Sequence, residues 1–201
     1  MNRKIGIIGS IINVITVLLF AFFMLIHFDF GSYFVCIFLS LSFIMMIASF
    51  ENECKKENRV AGKIALALSC IYAVLILIVY FTQCTSVTNE QLSVDMAKLL
   101  DYKYMSFLFN LDLLGYGIMA LSTFFIGLTI DAKNTRDKVL KWLLLIHGVF
   151  FLSCLIMPMT GMFVNPNGPT SSSGGIIALE IWCLYFLPIG ILSYLHFKKE
   201  K

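Results

Sequence analysis

Six separate stretches of this chain are apolar enough to cross the hydrocarbon core of a bilayer as helices, which takes about 20 residues each. Because the hydrocarbon core holds no water, the backbone N–H and C=O groups of a membrane span must hydrogen-bond to each other, and a helix achieves this within one segment. The stretches lie at about 5–26, 32–50, 60–83, 107–130, 142–159 and 175–197. They cover most of the 201 residues. We therefore predict an all-α fold with one six-transmembrane-helix bundle over 1–201, in a polytopic, multi-pass integral protein of the cell membrane.

The composition excludes a soluble domain. Only 13% of the residues are charged and 59% are hydrophobic, whereas about 25% are charged in soluble domains. Asn2, Arg3 and Lys4 could begin a signal peptide, but the apolar run after them exceeds the roughly 7–15 residues of a signal-peptide core. We interpret it as the first span. The six cysteines have neither CxxC nor Cys/His metal spacing, so we expect them to be packing residues.

The basic residues predict the orientation of the bundle. Of the 15 Lys and Arg residues, all but Lys98 and Lys103 fall before the first span or after the second, fourth and sixth. Because positive residues are retained in the cytoplasm, we expect both termini there. The basic pI of about 8.5 therefore follows from topology. No basic stripe with interleaved aromatic residues indicates a nucleic-acid partner.

Two acids in the apolar spans indicate a candidate site. Asp112 lies near the start of the fourth span, and Glu180 lies near the start of the sixth. Ionisable residues in a membrane span point to function. If the two helix faces meet, they form an acidic, aromatic-lined pocket that opens outward and suits a cation, an amine or a proton. The residues predicted to bind the ligand are Asp112, Glu180, Asn110, Tyr116 and Trp182.

The same acids have a structural alternative. Both lie in the first turns of their helices, where the helix dipole favours negative charge. In that interpretation Asp112 and Glu180 are interfacial carboxylates without a ligand.

Small residues recur at four-residue spacing along the third span, at Ala61, Ala65, Ser69 and Ala73. Such a stripe lets another helix backbone approach closely. The partner helix could belong to the same bundle. It could also belong to a partner membrane protein or to a second copy of the chain, which gives the second functional hypothesis of a non-catalytic membrane subunit.

Further local predictions concern single helices. Pro188 cannot donate to a helical carbonyl, so we expect a kink there, with Gly190 completing a hinge. His147 is expected to be a hydrogen-bonded core histidine, because no second His or Cys lies at ligand spacing; a proton relay or a metal ligand is the alternative. Asn13 is expected to hydrogen-bond to a neighbouring helix.

The connection after the third span is the longest predicted outer loop. Thr88 and Gln91 have capping-box spacing, and apolar residues then recur at helical intervals. We predict an amphipathic helix at about 89–101 on the outer membrane surface. The fifth span is expected to begin with Trp142 as its interfacial anchor, and 165–175 is expected to be a flexible outer turn region.

No sequence motif specifies an enzyme, a cofactor or a metal site. The GYG at 115–117 lacks the remainder of a potassium-channel filter. In size and helix number the chain is similar to the substrate-binding subunits of energy-coupling-factor vitamin importers, and its general pattern resembles small six-helix bacterial membrane proteins. We therefore expect a membrane protein that binds or transports a small molecule or cation.

Overall fold

Eight α-helices make up most of the residues that the structure, a computed structural model, describes, namely 1–163 and 173–198. No strand occurs within these two ranges. The predicted turn region at 165–175 lies mostly outside the described residues. The helices are α1 (Asn2–Leu25), α2 (Asp29–Asn52), α3 (Arg59–Thr82), α4 (Val94–Leu100), α5 (Phe107–Thr129), α6 (Thr135–His147), α7 (Phe150–Met159) and α8 (Ser173–Lys198).

Six helical segments of the described chain are long and apolar enough to cross a membrane, which confirms the all-α prediction and the predicted number of long apolar helices. Four of them are built on α1, α2, α5 and α8, one on α3 with the π-turn Gln83–Val87, and one on α6 with α7. The surface is unlike that of a soluble protein. Large apolar side chains such as Phe22, Val74 and Ile78 are exposed, while Asn13, Ser69 and Thr123 are buried. This distribution fits a bundle surrounded by lipid.

The spans form a closed ring. Going around it, α1 packs against α2, α2 against α3, α3 against α5, α5 against α6, α6 against α8 and α8 against α1. The second half of the fifth span, α7, packs against α5. The first three and the last three segments of the ring therefore contact each other mainly at two places, between α3 and α5 and between α1 and α8.

Ion pairs mark the two ends of the bundle. At one end, called here the terminus end, Arg3 contacts Glu53 at 2.8 Å, and His196 bridges Glu53 and Asp137. The hydrogen bond from His196, assisted by Arg3, holds the pKa of Glu53 below its usual value despite partial burial. The other, far end carries the ion pair of Asp29 with Lys103 at 3.0 Å.

The small-residue stripe of α3 is used inside the bundle. Ala65 and Ser69 are fully buried, Ala73 is 2% exposed and Ala61 is partly buried. Ser122 of α5 donates a hydrogen bond to the backbone carbonyl of Ala65 at 2.8 Å. The stripe therefore packs against α5, which leaves little of it exposed for a partner protein.

The fifth span differs from the prediction in two ways. It begins at Thr135 rather than Trp142, because the Asn134 side chain caps the helix by accepting from the backbone N–H of Asp137. It is also interrupted at Gly148, where the backbone bonds become i to i+3. A Cβ on Gly148 would lie 2.7 Å from Cβ of Phe124 in α5, so only glycine permits this close approach.

By contrast, α8 continues as one helix through Pro188. A hinge at Pro188 and Gly190 stays a prediction. Gly190 has a packing role, since a Cβ there would come within 2.8 Å of the Val14 side chain in α1.

Two local predictions were wrong. The helix predicted in the long connection is present as α4 but begins at Val94, capped by Ser93; the capping box was the wrong part, because Thr88 donates back to the carbonyl of Gln83. The side-chain amide of Asn13 is buried but has no hydrogen-bond partner among the described residues, so it does not link two helices as expected.

Candidate functional site

Asp112 is buried within the far half of the bundle, with 2% of its surface exposed. Its Oδ2 accepts a 2.9 Å hydrogen bond from the hydroxyl of Tyr102 and a longer one, 3.4 Å, from Tyr80. Its Oδ1 is also buried but has no hydrogen-bond partner among the described residues. One half of the carboxylate is therefore satisfied by the protein and the other half is not.

Tyr102 reaches Asp112 from the connection that precedes α5, not from a span. Burial raises the pKa of Tyr102 well above its usual value, and the negative charge of Asp112 adds to this effect. The phenol therefore keeps its proton and acts as the donor.

Gln83 fixes the position of this connection. Its side chain is 1% exposed. Its Nε2 donates to the carbonyl of Leu100 at 2.6 Å, and its Oε1 accepts from the backbone N–H of Tyr102 at 3.1 Å. The Gln83 amide thus bonds to the backbone of Leu100 and of Tyr102, the two neighbours of Asp101 in the chain. It fixes the position from which the Tyr102 hydroxyl reaches Asp112.

A cavity of about 380 Å³ adjoins Asp112. Its walls come from α5, α7, α8 and the connection before α5, and include Tyr116, Cys154 and Trp182. Asp112 is the only acid among its described lining residues, and they include no Lys, Arg or His. A pocket of this size, with mainly apolar and aromatic walls and a few polar groups, is typical of a small-molecule site.

The close approach of α7 and α5 shapes one wall of this cavity. A Cβ on Gly117 would lie 3.2 Å from Cβ of Cys154. The interruption at Gly148 separates α6, which packs against α8, from α7, which packs against α5. The cavity is lined by residues of both α7 and α8.

A second cavity of about 180 Å³ lies at the far end and shares Tyr102, Met105, Phe109 and Leu179 with the first. Asp29 and Lys103 are among its lining residues. The hydrogen bond to Asp29 raises the pKa of Lys103, which keeps this ion pair charged. The shared residues show that the two cavities are adjacent.

The structure brings together three of the five residues predicted to bind a ligand. Asp112, Tyr116 and Trp182 all line the larger cavity, and the rings of Tyr116 and Trp182 meet edge to face at 5.3 Å. Asn110 is exposed and does not line it. Glu180 is partly buried, and the neighbouring Leu179 lines the cavity in its place.

A chain of hydrogen bonds through His147 and Thr123 holds the indole of Trp182 in place. Its indole N–H donates to Nε2 of His147 at 3.1 Å, and Nδ1 of His147 lies 2.8 Å from Oγ1 of Thr123. Thr123 donates its own proton to the carbonyl of Ala120. His147 is therefore a hydrogen-bonded core histidine, as expected, and it orients a wall of the cavity.

Sequence reasoning missed Gln83 and Tyr102. Gln83 closes an otherwise apolar stretch, which was a signal that could have been followed. Tyr102 carried no comparable signal, because its role depends on where the connection folds back.

The described residues contain no group of three or more His, Cys, Asp or Glu side chains that could hold a metal ion.

Comparison with known proteins adds no assignment: no family model, curated protein or solved structure matches this chain.

Proposed function

We propose that this protein is a multi-pass membrane protein that binds a small molecule or cation in the cavity beside Asp112, as a binding component or a transporter. The observation that carries the proposal is the unpaired Oδ1 of a buried acid that lines a cavity. An unpaired buried carboxylate oxygen is costly, and a ligand that pairs with it would remove that cost.

The charge distribution supports an orientation. The connections at the terminus end carry nearly all of the basic residues, so the positive-inside rule places both termini in the cytoplasm. The far end then faces outward. The smaller cavity, with Asp29 and Lys103 among its lining residues, gives the ligand an approach from the outer side.

The interruption of the fifth span favours transport over simple binding. Discontinuous helices form the binding sites of many secondary transporters. Gly148 lies in the interrupted turn, and Phe150, the first residue of α7, lines the cavity.

Asp112→Asn tests the proposal. Native mass spectrometry of the purified full-length protein should show a bound small molecule that is lost in this variant. Asp95→Asn is the matched control, because Asp95 on α4 is 96% exposed and should leave the bound mass unchanged. Equal retention of the ligand by wild type and by Asp112→Asn would contradict the proposal.

A further inference from the structure

The chemistry around Asp112 narrows the class of ligand, on the basis of the binding function proposed above. The first constraint is charge. The two groups that donate to the carboxylate are neutral phenols, Tyr80 and Tyr102. Among the described residues, Asp112 forms no ion pair with a Lys, Arg or His, and the described cavity walls contain no basic side chain. An ionised Asp112 would therefore draw its compensating charge from the ligand.

The second constraint is the aromatic content of the walls. Tyr102, Phe109, Tyr116 and Trp182 all line the cavity together with Asp112. The rings of Tyr102 and Phe109 meet at 5.1 Å, and those of Tyr116 and Trp182 at 5.3 Å. Aromatic faces attract ammonium groups, and cages of such rings with a carboxylate are a general way to recognise organic cations.

The third constraint excludes two other classes. An anion in the cavity would lie beside the carboxylate of Asp112, and no Lys, Arg or His among the described wall residues could pair with it. A bare divalent metal ion prefers six or more oxygen ligands for Ca²⁺ and an octahedral set for Mg²⁺, and no cluster of three or more potential ligand residues exists in the described chain. The remaining walls include Leu113, Met157 and Leu179, which suit an apolar body.

We propose that the cavity binds an organic ammonium ion, an amine carrying a compact aromatic or aliphatic body. Its N–H group donates to Oδ1 of Asp112, its positive charge lies against Tyr116 and Trp182, and its apolar body packs between α7 and α8. Tyr80 and Tyr102 occupy Oδ2, which leaves Oδ1 as the carboxylate oxygen that has no partner in the described protein.

The test uses probes of matched shape and different charge. The thermal midpoint of the purified full-length protein in detergent is titrated with phenethylamine, the neutral 2-phenylethanol and the anionic 3-phenylpropionate. Hexylamine and benzyltrimethylammonium extend the series of cations. Because a hydrogen bond to a charged group contributes about 1.5–3 kcal/mol, we expect at least one amine to bind about tenfold or more tightly than the alcohol.

Two variants assign this preference to the site. Asp112→Asn should reduce the amine-to-alcohol preference to about twofold or less, while Asp95→Asn should retain it. Trp182→Leu keeps the carboxylate and should weaken binding of the amine about three- to tenfold by removing an aromatic face. If Asp112→Asn fails to fold, a Trp182→Leu protein that binds the amine as wild type does overturns the proposal.

The outcomes separate the ligand class from the proposed function. Binding of the alcohol or the carboxylate at least as tightly as every amine would overturn the organic ammonium class but leave a small-molecule site. A shift with sodium in place of potassium, and none with the amines, would reassign the site to an inorganic cation. No shift with any of these probes would overturn the organic ammonium class, while the native mass spectrometry of wild type and Asp112→Asn would still decide the proposed binding function.

Discussion

Two buried aspartates show how differently this bundle treats a carboxylate at its two ends. Asp137 at the terminus end is 4% exposed and Asp112 in the far half is 2% exposed. Oδ1 of Asp137 pairs with Nδ1 of His196 at 2.9 Å, and its Oδ2 accepts from the Asn134 amide at 2.7 Å. Asp112 has two phenols on one oxygen and no partner on the other.

The surroundings of the two acids also differ: charged residues surround Asp137, whereas a cavity adjoins Asp112. The other ring nitrogen of His196 lies 3.1 Å from Glu53, so a protonated imidazolium, with two N–H donors, fits between the two carboxylates. This network joins α6 and α8 to the end of α2, and Arg3 adds α1. Asp112 instead adjoins a cavity. The paired acid is a structural link, whereas the half-paired acid has the properties of a ligand site.

The largest expected effect comes from removing the charge of each acid in turn. Asp137→Asn should lower the free energy of unfolding by about 3 kcal/mol, because it removes one of the two carboxylates that pair with His196. Asp112→Asn should not lower it, since the phenols can still donate to the amide oxygen and an unpaired charge is removed. Reversible unfolding by SDS titration measures both. Equal destabilisation by the two variants would remove the distinction between the sites.

The next effect tests the phenol that holds Asp112. Tyr102→Phe removes a hydrogen bond to a carboxylate and should lower the free energy of unfolding by about 2 kcal/mol. Tyr104→Phe, in the same connection, is the control and should change the free energy of unfolding by less than about 0.5 kcal/mol. The same SDS titration reports both variants. If the two behave alike, the bond from Tyr102 contributes little.

A smaller effect is expected for the amide that positions Tyr102. Gln83→Leu removes two hydrogen bonds to the connection and should lower the free energy of unfolding by about 1–2 kcal/mol. Hydrogen exchange should show faster exchange of the Tyr102 backbone N–H, which loses its acceptor. Gln91→Leu is the matched control, since Gln91 is exposed. Unchanged exchange at Tyr102 in the Gln83 variant would argue against the clamp.

The smallest effect is spectroscopic. Because Trp182 donates to Nε2 of His147 and Thr123 already donates to Ala120, the proton of a neutral His147 must lie on Nδ1. Imidazole ¹⁵N chemical shifts should therefore show a protonated Nδ1 and an unprotonated Nε2. In contrast, both nitrogens of His196 should be protonated in the ion-paired state. The opposite tautomer at His147 would mean that Trp182 is held differently.

Much of the candidate site could be predicted from the sequence, because Asp112, Tyr116 and Trp182 are polar or aromatic residues in apolar spans and stand out there. Glu180 stood out for the same reason but does not line the cavity. The rotation of α8 about its axis determines which of its side chains line the cavity, and that rotation depends on how α8 packs against α1 and α6. Hydropathy does not contain this information.

The sequence by itself determined the number of long apolar helices and their approximate positions, since each helix satisfies its own backbone and its apolar character is local. It also indicated the small-residue stripe of α3. Only the tertiary structure decided that Gln83 and Tyr102 converge on Asp112, that the fifth span is interrupted at Gly148, and that one acid is paired while the other is left open. These features arise from contacts between residues far apart in the chain, whose geometry depends on how all six spans pack together.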